Sequence, residues 1–125
     1  DVRDTSEQTL QELSLAFRKA LSAIARRRNL RFDFEQKSYL PPVKCSPQMV
    51  QQLSDVAAEL QLVHRRMPSG AAHDAQIMGS MVPVGMLFVP SKNGQSHSPA
   101  EWTAWSDIEA GANVMLHALL KMTTE

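Results

Sequence analysis

Apolar residues recur at three- and four-residue steps in three long stretches of the chain, a pattern that predicts three amphipathic helices. The first is expected to begin after an N-cap at Thr5 and to end near Arg28. The second follows Ser46 and a first-turn proline, and the third covers residues 106–122. The predicted inward residues are Leu10, Leu13, Phe17, Leu21 and Ile24, then Met49, Leu53, Val56, Ala57 and Leu60, and finally Ile108, Val114, Met115, Ala118, Leu119 and Met122.

Shorter stretches between these helices predict strands. Residues 30–35 alternate between apolar and polar side chains, which is typical of a strand with one buried face. Residues 62–66 form a short candidate strand, and residues 84–89 are almost continuously apolar, as expected of a strand covered on both faces. A short helix is predicted around residues 75–78, and residues 98–101 read as a capping box with proline at the first helical position.

The order of these elements predicts an α/β fold. After residue 45 the predicted order is helix, strand, helix, strand, helix, which indicates a mostly parallel sheet flanked by helices. Before residue 40 it is the end of a strand, a helix and a strand, which indicates a separate α+β unit. Pro41 and Pro42 interrupt the chain between the two. We therefore expect residues 1–42 and residues 43–125 to belong to different domains.

Composition excludes several classes of protein. The 13 basic and 13 acidic residues give a formal net charge of zero, so neither nucleic acid nor an anionic membrane is favoured as a partner. The chain contains no apolar run long enough for a transmembrane helix, and its start does not resemble a signal peptide. Cys45 is the only cysteine, which excludes a disulfide framework and favours a reduced compartment. We expect a cytoplasmic protein.

Two histidines follow the two predicted strands of the larger domain. His73 lies in a turn after residues 62–66, and His97 lies in a polar loop after residues 84–89. Open α/β sheets bind ligands beyond the carboxyl ends of their strands, so both histidines are expected at one rim of the sheet. Neutral imidazole is a common zinc ligand. Each can also be an ordinary surface histidine, and Asp74 can cap the short helix instead of touching a substrate.

Three segments can be compared with known families: Pro68-Ser69-Gly70-Ala71-Ala72-His73-Asp74-Ala75, Met86-Leu87-Phe88-Val89-Pro90-Ser91 and Gly94-Gln95-Ser96-His97-Ser98-Pro99-Ala100-Glu101. They resemble the hydantoinase/carbamoylase branch of the zinc aminoacylase-like metallopeptidases, which includes allantoate amidohydrolase, ureidoglycolate amidohydrolase, N-carbamoyl-L-amino-acid hydrolase and yeast-type β-alanine synthase. In addition, Asp1-Val2-Arg3 is similar to the Asp-Ile-Arg strand of that family's lid, or dimerisation, domain. The resemblance covers the whole chain in one register. It implies the end of that lid domain, followed by the C-terminal part of a phosphorylase/hydrolase-like zinc-peptidase catalytic domain.

The resemblance also implies a role for individual residues. His97 matches the histidine that binds one metal ion of a two-metal site, with Zn or Mn as the metal. His73 matches the histidine that contacts the substrate and steadies the oxyanion. Arg3 matches the arginine that grips the substrate carboxylate, a task that suits a bidentate guanidinium. The backbone around Gly70 and Ala72 is expected to shape the substrate pocket, although many relatives have glycine where Ala72 stands.

The activity implied by the resemblance is metal-assisted hydrolysis of a carbamoyl or ureido C–N bond, a linear amide, in a small carboxylate such as allantoate or an N-carbamoyl-L-amino acid. Metal ions polarise the scissile carbonyl and lower the pKa of a bound water, whose proton passes to a glutamate. That glutamate and the other metal ligands are expected upstream of this sequence. A homodimer is also implied. The alternatives are a catalytically incomplete module with a structural or dimerising role and, less favoured, an aminoacylase or dipeptidase of the same clan.

Overall fold

The computed structural model describes residues 1–124, and the regular secondary structure in this range is helical. Its α-helices are α1 (Glu7–Arg28), α2 (Pro47–Glu59), α3 (Asp74–Met78) and α4 (Trp105–Thr124), and a short 3-10 helix covers Lys92–Gly94. None of the helices within residues 1–124 combines the length and the apolar character that a bilayer crossing requires.

The chain divides into two compact units. The first unit contains Asp1–Lys44 and Pro68–Met81, and the second contains Cys45–Met67 and the chain from Val82 onward. The turn that carries His73 therefore groups with the N-terminal part of the chain. The assignment of residues 1–42 to a lid domain and of residues 43–125 to a catalytic domain stays a prediction.

The first long helix has caps at both ends, but it begins one residue later than predicted. Ser6, and not Thr5, is the N-cap, because its hydroxyl accepts a hydrogen bond from the Thr9 backbone N–H at 3.3 Å. Asn29 ends the helix in the left-handed conformation (φ 52°, ψ 44°), which asparagine tolerates better than most residues. Arginines fill the last turn, where positive charge complements the helix dipole.

The hydrophobic core of the second unit lies between α2 and α4. An ion pair between Lys121 and Glu59, with 2.5 Å between Nζ and Oε1, also joins these two helices. The inward positions predicted for α2 at Leu53, Val56 and Ala57 are confirmed. The buried cluster consists of Leu53, Val56, Ala57, Val114 and Ala118, with Leu60, Leu62 and Leu87 packed against it.

Burial of α4 agrees only in part with the prediction. Val114 and Ala118 are buried as predicted, but Ile108, Met115 and Leu119 are 40%, 41% and 52% exposed, so their predicted inward positions are wrong for this structure. The reason is that α4 carries apolar side chains on most of its circumference. Periodicity identifies apolar positions, but it does not identify which of them meet α2.

The apolar stripe predicted for α1 is also mostly uncovered. Leu13, Phe17 and Ile24 are 43%, 51% and 43% exposed, and the buried residue of α1 is instead Ala25. The inward positions predicted for Leu13, Phe17 and Ile24 are therefore wrong in this structure. An amphipathic stripe indicates that a helix needs an apolar surface to pack against, but the pattern does not identify that surface.

The strands predicted from the sequence are not found in residues 1–124. In residues 30–35, the expected buried face is wrong, because Leu30 and Phe32 are 59% and 42% exposed. Only Phe34 is partly covered, by the Phe17 ring at 6.0 Å between centroids and by the Arg18 guanidinium 4.2 Å above its ring. A strand requires hydrogen bonds to a neighbouring strand, which an alternating pattern cannot provide by itself. The parallel sheet therefore stays a prediction.

Residues 84–89 lie across α2 and α4 instead of pairing with a strand. The Ser46 backbone N–H donates to the Val84 carbonyl at 2.8 Å, which ties the start of α2 to this segment. A Cβ atom at Gly85 would lie 3.1 Å from the Met49 Cβ. A Cβ atom at Gly111 would lie 2.4 Å from a Val89 methyl carbon, so the side chain of Val89 packs directly on the backbone of α4. The two glycines permit this close approach, which positions the loop that follows.

Candidate functional site

Arg3 reaches the turn that carries His73, within the first unit. Its Nη1 donates to the Gly70 carbonyl oxygen at 2.7 Å. Its Nε and Nη2 donate to Oδ2 of Asp1 at 3.0 Å and 2.5 Å. A guanidinium has five N–H groups, so one N–H on each terminal nitrogen is left for a ligand. The pair with Asp1 is exposed and adds little stability, but it orients the guanidinium.

His73 is held through both its backbone and its ring. It is the N-cap of α3, and its backbone N–H donates to Oε1 of Gln76 at 3.2 Å, while its carbonyl accepts from the Gln76 N–H at 2.9 Å. The ring Nε2 lies 2.7 Å from the Ser69 hydroxyl, and that hydroxyl also accepts from the Ala71 N–H at 3.2 Å. Asp74 is the first residue inside α3 and not its cap, and its negative charge suits that end of the helix.

Gly70 and Ala72 are exposed in the same turn. Gly70 contributes its carbonyl oxygen to Arg3, and a Cβ atom at this position would meet no other atom within 4 Å. Neither steric space nor a left-handed backbone therefore requires glycine here. The role of Gly70 and Ala72 in shaping a substrate pocket stays a prediction.

His97 lies in a loop of the second unit with an unusual backbone. Asn93, Gly94 and His97 have φ values of 57°, 66° and 55°, in the left-handed region. For a residue with a Cβ atom this conformation costs about 1–2 kcal/mol, so the surroundings must hold it. The carboxylate of Glu101 does so by accepting from the His97 backbone N–H at 2.8 Å.

No helix starts at Ser98, and the Glu101 side chain makes a different contact from the one that a capping box requires. The Glu101 N–H donates to the Ser98 carbonyl at 3.0 Å, which closes a turn. In a capping box the glutamate side chain would return to the N–H of Ser98, but here it binds the N–H of His97 instead. The capping box predicted at residues 98–101 is therefore wrong, and α4 begins only at Trp105.

The His97 ring is exposed, with Nδ1 3.3 Å from the Ser96 hydroxyl. Within residues 1–124, no three His, Cys, Asp or Glu side chains lie close enough together to hold a metal ion. One imidazole supplies a single ligand of the several that a zinc ion takes. The imidazole is chemically suitable as a zinc ligand, and its role as a metal ligand stays a prediction.

The structure brings some of the predicted site residues together. Arg3, Gly70 and His73 share the first unit, where Arg3 bonds to Gly70 and the adjacent Ser69 bonds to His73, whereas His97 belongs to the second unit. The common rim predicted for His73 and His97 stays a prediction. Ser69 and Glu101 were not among the predicted site residues. Ser69 carries a signal, because serine often binds the backbone N–H two residues later, whereas Glu101 was assigned to a helix cap.

Comparison with known proteins places the chain in a family. The sequence pattern of peptidase family M20/M25/M40 matches residues 5–121. The chain is 34% identical to the N-carbamoyl-L-amino-acid amidohydrolase of Paenarthrobacter aurescens, over 95% of this chain and 29% of that protein. It is 32% identical to the allantoate amidohydrolase of Escherichia coli strain K12, over 98% of this chain and 30% of that protein.

A solved structure agrees with these relatives. The crystal structure of an amidase of the hydantoinase/carbamoylase family from Burkholderia multivorans matches with a TM-score of 0.92 and 36% identity, over 98% of this chain and 30% of that chain. The chain thus spans less than a third of the length of the proteins that it matches. The resemblance to the hydantoinase/carbamoylase branch is confirmed by these relatives. Because the family pattern covers most of its residues, the chain belongs to peptidase family M20/M25/M40.

Proposed function

We propose that this chain is part of a metal-dependent amidohydrolase that cleaves a carbamoyl or ureido C–N bond of a small carboxylate. The names of the two relatives support this reaction, since one refers to N-carbamoyl-L-amino acids and the other to allantoate. The structural observation that carries the proposal is the hydrogen bond of 2.7 Å from Arg3 to the Gly70 carbonyl. It brings a cationic group to the turn that also presents His73.

Arg3 binds the substrate carboxylate in this proposal. Asp1 and the Gly70 carbonyl hold the guanidinium on two sides, so the group is oriented before a ligand arrives. The N–H groups that are left, one on each terminal nitrogen, can donate to the oxygens of a carboxylate. Lysine would offer a point charge without this fork.

His73 contacts the substrate near the scissile bond in this proposal. During hydrolysis of an amide, negative charge develops on the carbonyl oxygen, and a donor that is already in place stabilises it. Hydrogen bonds with Ser69 and Gln76 hold the imidazole and the backbone of His73 in place, so little reorganisation is needed when the charge develops.

His97 supplies one ligand to a Zn or Mn ion of a two-metal site in this proposal. Its ring is exposed, and the Ser96 hydroxyl lies beside Nδ1, an arrangement in which the other ring nitrogen can face a metal. When bound, the metal polarises the scissile carbonyl and lowers the pKa of a bound water. The remaining ligands and the general base belong to residues outside this sequence.

An assay of ammonia release tests the proposal. The complete protein, supplied with Zn or Mn, is given a panel of ureido and carbamoyl carboxylates that includes allantoate and N-carbamoyl-L-amino acids. We expect turnover of at least one of them, and Arg3→Lys should raise its KM by about 10- to 100-fold, because charge-assisted bonds are lost. Arg31→Ala removes an exposed arginine of the same unit and is the control.

The same assay distinguishes the proposed amidohydrolase from the alternative function. A catalytically incomplete module would release no ammonia from any member of the panel with either metal.

A homodimer is also part of the proposal, because the family resemblance implies it. Light scattering on the complete protein should give twice the mass of one chain, and a monomeric mass would remove this part.

A further inference from the structure

We propose that Gln76 is a positioning residue that fixes the backbone of His73 against the chain at Pro41. The inference rests on the proposed function, in which His73 acts at the substrate. The side-chain amide of Gln76 makes two hydrogen bonds with backbone groups of the first unit. Its Oε1 accepts from the His73 N–H at 3.2 Å, and its Nε2 donates to the Pro41 carbonyl oxygen at 3.3 Å. Gln76 and His73 are both half-buried.

The two partners determine which way the Gln76 amide faces. The His73 N–H can only donate and the Pro41 carbonyl can only accept, so the amide oxygen must face His73 and the amide nitrogen must face Pro41. The opposite orientation would place two donors together and two acceptors together. An ionised glutamate has no hydrogen to donate, and a lysine has no oxygen to accept. The pair of contacts therefore requires a side chain that both donates and accepts.

The helix that follows His73 needs such a contact because it is short. α3 contains five residues, and a helix of this length is not stable by itself. Its place in the first unit therefore depends on contacts with other parts of that unit. The bond from Gln76 to Pro41 joins the start of α3 to a residue 35 positions away along the chain. The N-cap residue of α3, His73, is held by the same amide.

The contacts of the His73 ring are separate from those of the Gln76 amide. The ring Nε2 lies 2.7 Å from the Ser69 hydroxyl, and the His73 side chain also accepts from the Gln76 backbone N–H in the capping box of α3. Neither contact uses the side chain of Gln76, so both are available in any Gln76 variant. The amide instead sets the position of the backbone that carries the ring. A group that stabilises a developing charge must be precisely placed, so a shift of this backbone lowers the rate.

The experiment measures kcat and KM in the complete protein for Gln76→Ala, Gln76→Glu, His73→Ala and the double variant of Gln76→Ala with His73→Ala. We expect Gln76→Ala to lower kcat by roughly 5- to 30-fold, the value of two hydrogen bonds, with little change in KM. The matched control is Gln8→Ala, which removes an amide bonded to Glu12 at 2.9 Å on α1 and should leave kcat unchanged.

Gln76→Glu distinguishes the contact with Pro41 from a simple cap of α3. Glutamate keeps the oxygen that accepts from the His73 N–H, and it suits this position of a capping box as well as glutamine does. It lacks the hydrogen that bonds to the Pro41 carbonyl, so we expect kcat to fall by roughly 3- to 10-fold. An unchanged kcat would show that Gln76 only caps the helix, and the inference would be wrong.

Ile77→Glu is the control for the added charge. It places a carboxylate at an exposed position of α3 without removing either bond of the Gln76 amide, and it should leave kcat unchanged. A loss equal to that of Gln76→Glu would assign the effect to charge and overturn the inference.

The double variant decides whether Gln76 acts through His73. We expect Gln76→Ala to cost nothing further in the background of His73→Ala, because the two residues act as one unit. If it costs the same factor in both backgrounds, the inference about Gln76 is wrong while the proposed function stands. If His73→Ala alone keeps full activity, the role proposed for His73 fails, which is a failure of the proposed function.

Hydrogen exchange tests the contact without an activity assay. In protein labelled with ¹⁵N-histidine, the backbone N–H signal of His73 is identified by its loss in His73→Ala. Its exchange should be about 5-fold faster in Gln76→Ala, because the acceptor is lost, and unchanged in Gln76→Glu and Gln8→Ala. Equal exchange rates in the unchanged protein and in Gln76→Ala would contradict the inference.

Discussion

The turn around His73 and the loop around His97 hold their histidines in different ways. His73 has an extended backbone (φ −139°), and hydrogen bonds with Ser69 and Gln76, both within four residues, hold its ring and its backbone. His97 has a left-handed backbone and an exposed ring, and it follows a segment that packs on α2 and α4. The first histidine therefore depends on local hydrogen bonds, whereas the second depends on packing before its loop and on one carboxylate.

Replacing a glycine by alanine should give the largest difference between the two regions in the free energy of unfolding. Gly111→Ala places a Cβ atom 2.4 Å from a Val89 methyl carbon, so Val89 must move. We expect a loss of about 1–3 kcal/mol in the free energy of unfolding, as for other overpacked sites. Gly70→Ala is the matched substitution in the other region, where a Cβ atom meets nothing within 4 Å. It should be neutral or stabilising by about 0.4–1 kcal/mol.

Chemical unfolding in urea measures both variants against the unchanged chain. Equal destabilisation by the two substitutions would show that packing does not distinguish the regions. A stable Gly111→Ala variant would show that the side chain of Val89 adjusts without cost, and the close packing of this segment would then not position the His97 loop.

Substitution of Glu101 tests whether one carboxylate holds the loop that carries His97, the proposed metal ligand. Glu101→Ala removes the acceptor for the His97 N–H, which otherwise forms a bond of 2.8 Å. In the complete protein we expect zinc affinity to fall by about 10-fold, as for other groups that orient a metal ligand. Glu101→Gln keeps an oxygen acceptor and should lose less. Zinc titration by calorimetry measures this, and unchanged affinity in Glu101→Ala would contradict the role of the carboxylate.

Tyr39 lies in the first unit, and its substitution should have the smallest effect on stability. Loss of hydration around its phenol raises its pKa above the ordinary value of 10.0, and the hydrogen bond to Glu7 (3.0 Å) and the charge of that carboxylate raise the pKa further. A pKa that is higher in the folded state contributes stability below the unfolded pKa, and this contribution is lost as pH rises through the folded value. The affected range therefore lies above about pH 10.

Thermal unfolding at about pH 8 and about pH 11 measures this contribution. The fall in Tm between these values should be slightly smaller for Tyr39→Phe than for the unchanged chain, because the variant has no phenol to titrate. An identical fall in both would show that the contact between Tyr39 and Glu7 contributes nothing to stability.

Local sequence signals predicted the helices well. Ser46 followed by proline marked the start of α2, and the periodic apolar positions identified α1 and α4 to within a few residues. These features depend on interactions between residues that are close in sequence. Examples are a hydroxyl that accepts from a nearby backbone N–H and side chains that meet on successive helical turns. The branch of the family could also be identified, because its motifs are short and continuous in sequence.

The sequence by itself determined where helices form and that apolar surfaces exist, since those properties depend on propensity and periodicity. Only the tertiary structure decided which apolar surfaces are covered, as the burial of Val114 and the exposure of Leu119 illustrate. It also decided that Ser69 binds His73 and that Arg3 binds the Gly70 carbonyl, 67 residues away along the chain. Such contacts depend on distances in space between groups, and a local pattern of residue types does not contain those distances.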